Sequence, residues 1–237
     1  LQYEADDWKI WEEIIQFYLN QDQTEKAYKM GGKAYRTFSP NANIGLIFAK
    51  SALLVDEYKK TIEVLNNINI LPFEHASESK HIYTQAHILL ALKNIEDKRY
   101  TKAIDLLERS KEWPENLGVG KPHTVDERMQ DYLLAHCYEL LNDPNKKEEL
   151  LGSIVTREQK GNTYGPYDLF RLLSLKKLGK KTDLAQLQNK MSIAAAQGNE
   201  EAKWVLSLFK NDPNIPLKSK SGLKRSMWEI LQASSKL

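Results

Sequence analysis

Residues 25–40 read EKAYKMGGKAYRTFSP. Ala27 and Ala34 stand seven apart, with Gly31 between them and Pro40 after them. Residues seven apart share one face of an α-helix, and a proline just beyond stops it. Small side chains on such a face let a second helix lie close. That helix is upstream: over Asp6 to Tyr18, residues Trp8, Trp11, Ile14, Ile15 and Tyr18 follow helical spacing. The stretch therefore reads as a helix–turn–helix unit. The rest of the 237 residues agrees, because most of the 11 Gly and 8 Pro fall between apolar-periodic segments. No stretch alternates apolar and polar residues long enough to argue for a sheet.

The unit recurs. A second copy carries Phe48, Ala49 and Ala52, then Thr61, Leu65 and Ile68. A third has His87, Leu90 and Ala91, then Ala103, Leu107 and Ser110; a fourth has Leu134, Ala135 and Tyr138, then Lys147, Leu151 and Ile154. A weaker fifth has Leu172, Leu175 and Gly179, then Leu184 and Met191. The pattern resembles the tetratricopeptide repeat (TPR), a helix–turn–helix unit of about 34 residues. The resemblance implies an all-α superhelix, a solenoid of about five TPR-like helical pairs closed by C-terminal capping helices. Two departures carry expectations. Gly31 stands where a bulky residue is usual, so the first unit should pack loosely there. Lys147 stands where a small residue is usual, so the second helix of the fourth unit should be exposed or shifted.

The anchors Ala27, Thr61, Ala103, Lys147 and Leu184 are 34, 42, 44 and 37 residues apart. The second and third intervals thus carry insertions of 42 − 34 = 8 and 44 − 34 = 10 residues. They read INILPFEHASESK (68–80) and KEWPENLGVGKPHT (111–124). Insertions in a repeat array map to loops on one face, often the binding face. The repeat array is expected over 1–192. Over 193–237, AAAQGNEEAKWVLSLFKND resembles a Sel1-type helical unit, PNIPLKSKSGLKR reads as a linker, and LKRSMWEILQASSKL as a capping helix.

The strings LPFE, YTQAHILLALKNIEDKRYTKAIDLLERSKEWPENLGVGKP and DERMQDYLLAHCYELL resemble a narrower family. These are large bacterial proteins in which a β-rich domain of unknown function precedes C-terminal tetratricopeptide repeats. The resemblance covers about residues 8 to 160 and implies that this chain is a piece of such a protein, its upstream domain missing. It implies no activity for the repeats. No signal-like segment is visible, and the compartment is left open.

Composition excludes several classes. Lys and Arg number 34 against 32 Asp and Glu, a formal charge of 34 − 32 = +2, too balanced for nucleic-acid binding. No apolar run reaches the ~20 residues of a membrane helix. A single cysteine, Cys137, excludes an internal disulfide and a multi-cysteine metal site. None of His75, His81, His87, His123 and His136 stands in a zinc-protease arrangement, and no cofactor or metal is expected. GVGKPH fails as a phosphate loop, because Glu115 and Pro122 occupy the places of its first glycine and its hydroxyl residue. The pairs Asp6–Asp7, Glu12–Glu13 and Asp126–Glu127 are not a glycosidase dyad, and Asp6–Asp7 and Asp126–Glu127 suit helix starts better. Lys218, Lys220, Lys224 and Arg225 read as a solvated linker.

Two candidate partner sites remain. One is the loop with Trp113, Glu115, Asn116, Gly118, Gly120 and Lys121, which either faces a partner or closes the edge between the third and fourth units. The other is the groove that the first helices line in this family: Asn43, Ile47 and Lys50, then Gln85, Leu89 and Leu92, then Met129, Tyr132 and His136. With Leu46, Ile88 and Leu133 its middle is apolar, so it either holds a partner segment or is filled by this chain itself. Unit three offers Gln85 and Leu89 where a chaperone-tail clamp would need cations. The function expected is a non-catalytic protein-interaction scaffold that docks its own upstream domain or a separate protein. The alternative is a peptide- or carbohydrate-binding module stacking ligand on Trp8, Trp11, Trp113 and Tyr164. The oligomeric state is left open.

Overall fold

The computed structural model describes residues 7–72, 77–157, 164–212 and 222–237. These contain twelve α-helices, one 3-10 turn and no strand. The helices are α1 (Trp8–Asn20), α2 (Thr24–Phe38), α3 (Ala42–Leu53), α4 (Tyr58–Asn66), α5 (Glu78–Glu96), α6 (Tyr100–Ser110), α7 (Arg128–Leu140), α8 (Pro144–Thr156), α9 (Asp168–Lys177), α10 (Lys181–Ala196), α11 (Glu200–Phe209) and α12 (Gly222–Ser235). The chain divides into two compact units. One gathers 1–90, 109–123 and 219–227, the other 91–108, 124–218 and 228–237. In the first unit α1, α2, α3 and α4 pack each on the next; in the second, α7 to α11 do the same. The fold is all-α and TPR-like.

The turn inside each pair has one repeated chemistry. Asp22, Asp56, Lys98, Asn142 and Gly179 all have positive φ, from 55° to 68°. Each follows the last turn of a first helix. The next residue's N–H then reaches back five residues: Gln23 to the Tyr18 carbonyl (2.9 Å), Glu57 to Ala52 (3.0 Å), Arg99 to Asn94 (2.8 Å), Asp143 to Tyr138 (2.9 Å) and Lys180 to Leu175 (3.0 Å). This is the Schellman closure, which satisfies carbonyls left over at a helix end. The five left-handed residues are 34, 42, 44 and 37 apart, each five before an anchor read from the sequence. The same closure recurs at Gly198 and Asn211 after α10 and α11. Side chains start several helices: Asp7 accepts from Lys9 N–H, Asn41 from Asn43 and Ile44 N–H, Asp143 from Lys146 N–H and Asn199 from Ala202 N–H.

The core of the first unit corrects one expectation. Ile15, Ala27, Ala34, Ile44 and Ile47 form a buried cluster, with Trp8, Trp11, Tyr18, Leu19, Met30, Tyr35 and Phe38 packed around it. Gly31 is not a loose spot. A Cβ there would lie 2.9 Å from Phe48 Cδ2 and 3.3 Å from the Phe48 Cα. The Phe48 ring stacks on Tyr28 (centroids 5.6 Å) and tilts against Tyr35 (5.5 Å). The bulk that α2 lacks at Gly31 comes from α3. Gly45 is equally tight, since a Cβ there would meet Ile68 Cγ2 at 2.4 Å.

In the second unit α8 buries only Leu151 and Ile154. Lys147, half-buried at the small-residue position, extends to Glu139 (2.8 Å), which also takes Lys177 (2.6 Å). Arg128 is held by Asp126 and by buried Asp168 (both 2.8 Å), and Asp168 also accepts the Gly165 N–H (2.9 Å). Asp126 accepts the Arg128 N–H at 3.2 Å, whereas Glu127 makes no side-chain cap. Trp228 of α12 sits edge-on against Trp204 of α11 (3.8 Å), with Ile230 and Leu231 fully buried. Asp6, His75 and the linker lysines Lys218 and Lys220 lie outside the described residues, as do the side chains of Lys224 and Arg225.

Lys98 is the costliest occupant of a left-handed turn position, since Asn and Asp tolerate that region better. Lys98→Gly should raise stability by about 0.5–1 kcal/mol in denaturant titration, and Asn142→Gly by less. Gly31→Leu, although it restores the usual bulky residue, should lower stability by about 2–3 kcal/mol because Phe48 already fills the space.

Candidate partner-binding surface

The two insertions, read separately in the sequence, are bonded to each other. Ile70 N–H donates to the Asn116 carbonyl at 2.8 Å. The Asn116 side-chain amide donates to the carbonyls of Leu65 (2.9 Å), in the last turn of α4, and of Ile68 (2.8 Å), just beyond it. Asn116 thus supplies the donors that a helix end lacks. Its backbone forms the 3-10 turn Glu115–Leu117, closed by Gly118 at φ 67°. A Cβ on Gly118 would stand 2.6 Å from the Ile70 carbonyl oxygen, so glycine is required both for the turn and for the contact. Leu117 is buried, and Ser79 Oγ donates to its carbonyl (2.9 Å).

The stem of the loop is pinned as well. Lys80 is buried, its ammonium donating to the Ser110 carbonyl (2.7 Å) and lying 5.0 Å from the Trp113 ring centre and 5.2 Å from that of Tyr83. A cation between two aromatic faces is favourable where water is excluded. Trp113 is partly buried, its indole N–H without a hydrogen-bond partner among the described residues. The loop therefore turns back to the end of α4 and the start of α5. Its rim faces out: Glu115, Gly120, Lys121, Pro122 and His123 are exposed. Beside Gly118 on the first insertion, Leu71 is 83 % exposed, the most exposed large apolar side chain described.

The groove positions divide by burial. In the first unit Ile47, Gln85 and Leu89 are buried, as is Ile88. Asn43 is exposed, and half-buried Lys50 is paired with Glu78 (2.6 Å). In the second unit Leu92, Met129, Tyr132 and Leu133 are buried. Tyr132 tilts against Phe170 (5.7 Å), with the Lys177 ammonium 5.8 Å from its ring centre. These apolar positions serve as core, whereas Leu46 is only partly buried. The four proposed stacking rings are also engaged in packing: Trp8 and Trp11 on the first-unit core, Trp113 against Lys80, and Tyr164 buried.

His136 is the titratable member of this set. Burial, reinforced by the Lys177 ammonium, pushes its pKa down to about 4 despite Glu139, 3.8 Å away. Burial alone would raise the Glu139 carboxyl, but hydrogen bonds from Lys147 and Lys177 outweigh it and hold the group at about 2. Next to them, burial pushes the Cys137 thiol up to about 12, so it is not a ready nucleophile. His87 is buried, bonded through Nδ1 to the Tyr83 carbonyl (2.8 Å) and held below the usual histidine range by burial. Among the described residues no group of three or more His, Cys, Asp or Glu is placed to hold a metal ion. No described helix is long and apolar enough to cross a membrane.

No family model matches the sequence, and no curated protein does. Among solved structures the chain is similar to a Podosopora anserina kinesin light chain with nearly identical TPR-like repeats, at 11 % identity and a TM-score of 0.43. The alignment covers 90 % of this chain and 100 % of that one. At that distance the fold assignment rests on this chain's own helical pairs.

The His136 environment sets a pH window. Its folded pKa (about 4) lies below the ordinary 6.5, so the unfolded chain takes the proton first as pH falls. The stability is complete above about 6.5 and is lost between 6.5 and 4, by at most about 3 kcal/mol. His136→Gln should flatten the fall of Tm across that window and leave Tm above pH 7 nearly unchanged. His87 contributes a residual slope, and the Glu139 loss follows only below about pH 4.5.

Proposed function

We propose that this chain is a non-catalytic protein-interaction scaffold whose partner-facing surface is the outer rim of the joined insertions. TPR-like arrays generally mediate protein–protein interaction, and folds of this kind are typically non-catalytic. One observation carries the choice of surface. Two insertions that the 34-residue unit does not need are tied together by the Ile70–Asn116 bond, and the tie leaves Leu71 and Lys121 in solvent. An exposed apolar side chain on one braced insertion and an exposed lysine on the other suit a protein partner with an apolar pocket and a carboxylate. The chain is read as the repeat region of a larger bacterial protein, and the partner as that protein's own upstream domain. The resemblance of the WPENLGVGKP segment supports this reading.

The test immobilises this chain and offers the polypeptide that precedes Leu1 in its parent protein. Leu71→Asp and Lys121→Glu alter only exposed atoms and should leave Tm within about 2 °C. Each should weaken retention about tenfold or more. Full retention by both variants overturns the choice of surface, and no retention by the wild type overturns the upstream domain as partner. Trp113→Ala is the wrong probe, because it strips the aromatic face from Lys80.

A further inference from the structure

The repeat makes one residue comparable with another 34 positions on. Asp22 and Asp56 hold the same left-handed turn, and Ala27 and Thr61 the same anchor, so each position of α1 has a counterpart in α3. In α3, Ile44, Phe48 and Ser51 form the stripe that receives the preceding helix. All three are buried, and α2 lies on them with Gly31 placed over Phe48 and Ser51. Subtracting 34 gives Ile10, Ile14 and Phe17 in α1. This stripe has the same chemistry and a different fate. Phe17 is 58 % exposed, and Ile10 and Ile14 are only partly buried. The side chains of α1 that pack on the core are Trp8, Trp11, Tyr18 and Leu19, with Ile15 inside it. Ile10, Ile14 and Phe17 are spaced four and three, which is a helix-docking stripe. Terminal helices of repeat arrays otherwise carry a polar outer face.

We propose that the Ile10–Ile14–Phe17 stripe of α1 is a docking surface for one further amphipathic helix, supplied by the same polypeptide ahead of α1 and packed as α2 packs on α3. The argument is continuity with an interface the first unit already contains. The α2–α3 packing defines the occupant's chemistry: a small residue at the centre of its contact face, opposite Ile14, with aromatic or long apolar residues a turn to either side, as Tyr28 and Tyr35 flank Gly31. This site is separate from the insertion rim and stands or falls apart from it.

The test builds the interface from the protein's own parts. Residues 23–41, which hold α2 and its link to α3, are repeated directly ahead of Trp8 in place of residues 1–7. The extended chain should melt about 5 °C or more above the original. Phe17→Glu should remove most of that gain while shifting the original chain by less than about 2 °C. An extended chain that melts no higher overturns the proposal, as does a gain that survives Phe17→Glu. Light scattering of the original chain decides against a second copy as occupant. It should be monomeric from 1 to 100 µM, and a dimer that Phe17→Glu dissolves would overturn the proposal in favour of self-association.

Discussion

Helices of the first unit approach one another until nothing larger than a methyl group fits at their closest contacts. Ala27, Ala34, Gly31 and Gly45 mark the places, and the glycines have no room for a Cβ. Such contacts tolerate one register, because sliding either helix by a residue drives a side chain into backbone. The constraint reaches the turns. A pair held this closely needs a short reversal, and the left-handed residue with its five-residue backward hydrogen bond provides it at Asp22, Asp56, Lys98, Asn142 and Gly179. The insertions then have only the outer surface left to them.

Much of this was legible in the sequence. Apolar spacing and small residues located the five pairs, and the anchor intervals reappear unchanged as turn intervals. What misled was reading each unit alone. Gly31 looked like a gap because the ring that fills it, Phe48, belongs to the next helix, and no pattern within one unit can display that. The apolar groove positions Ile47, Leu89 and Tyr132 were ambiguous for a related reason. A hydrophobic residue on a helix face reads the same whether partner or core covers it, and here they lie in the core.

The insertion loop shows the limit for polar residues. Trp113, Asn116, Gly118 and Lys121 looked like one candidate set. The structure separates three that brace the loop from one that faces water. Asn116 is decisive, yet a loop asparagine carries no mark of whether its amide will seek solvent or the carbonyls at a helix end 51 residues earlier. Lys80 gave no sign either, since lysine is seldom buried without a partner. The Trp113 and Tyr83 rings and the Ser110 carbonyl supply its partners.

That asparagine also bears on the order of assembly. Contacts in a helical-repeat chain are mostly between neighbours, which form quickly because little chain entropy is lost in closing them. The bonds from Asn116 to Leu65 and Ile68 span 51 and 48 residues and cannot form until the helices between have docked. The rim they brace is therefore expected to set after the helices of the first unit and to open before them. Opening of a rim held by a few long-range bonds should cost less than global unfolding, and amide exchange there should outpace that of the helices. A partner arriving at such a rim would meet a surface able to adjust its fit against a helical frame that does not yield.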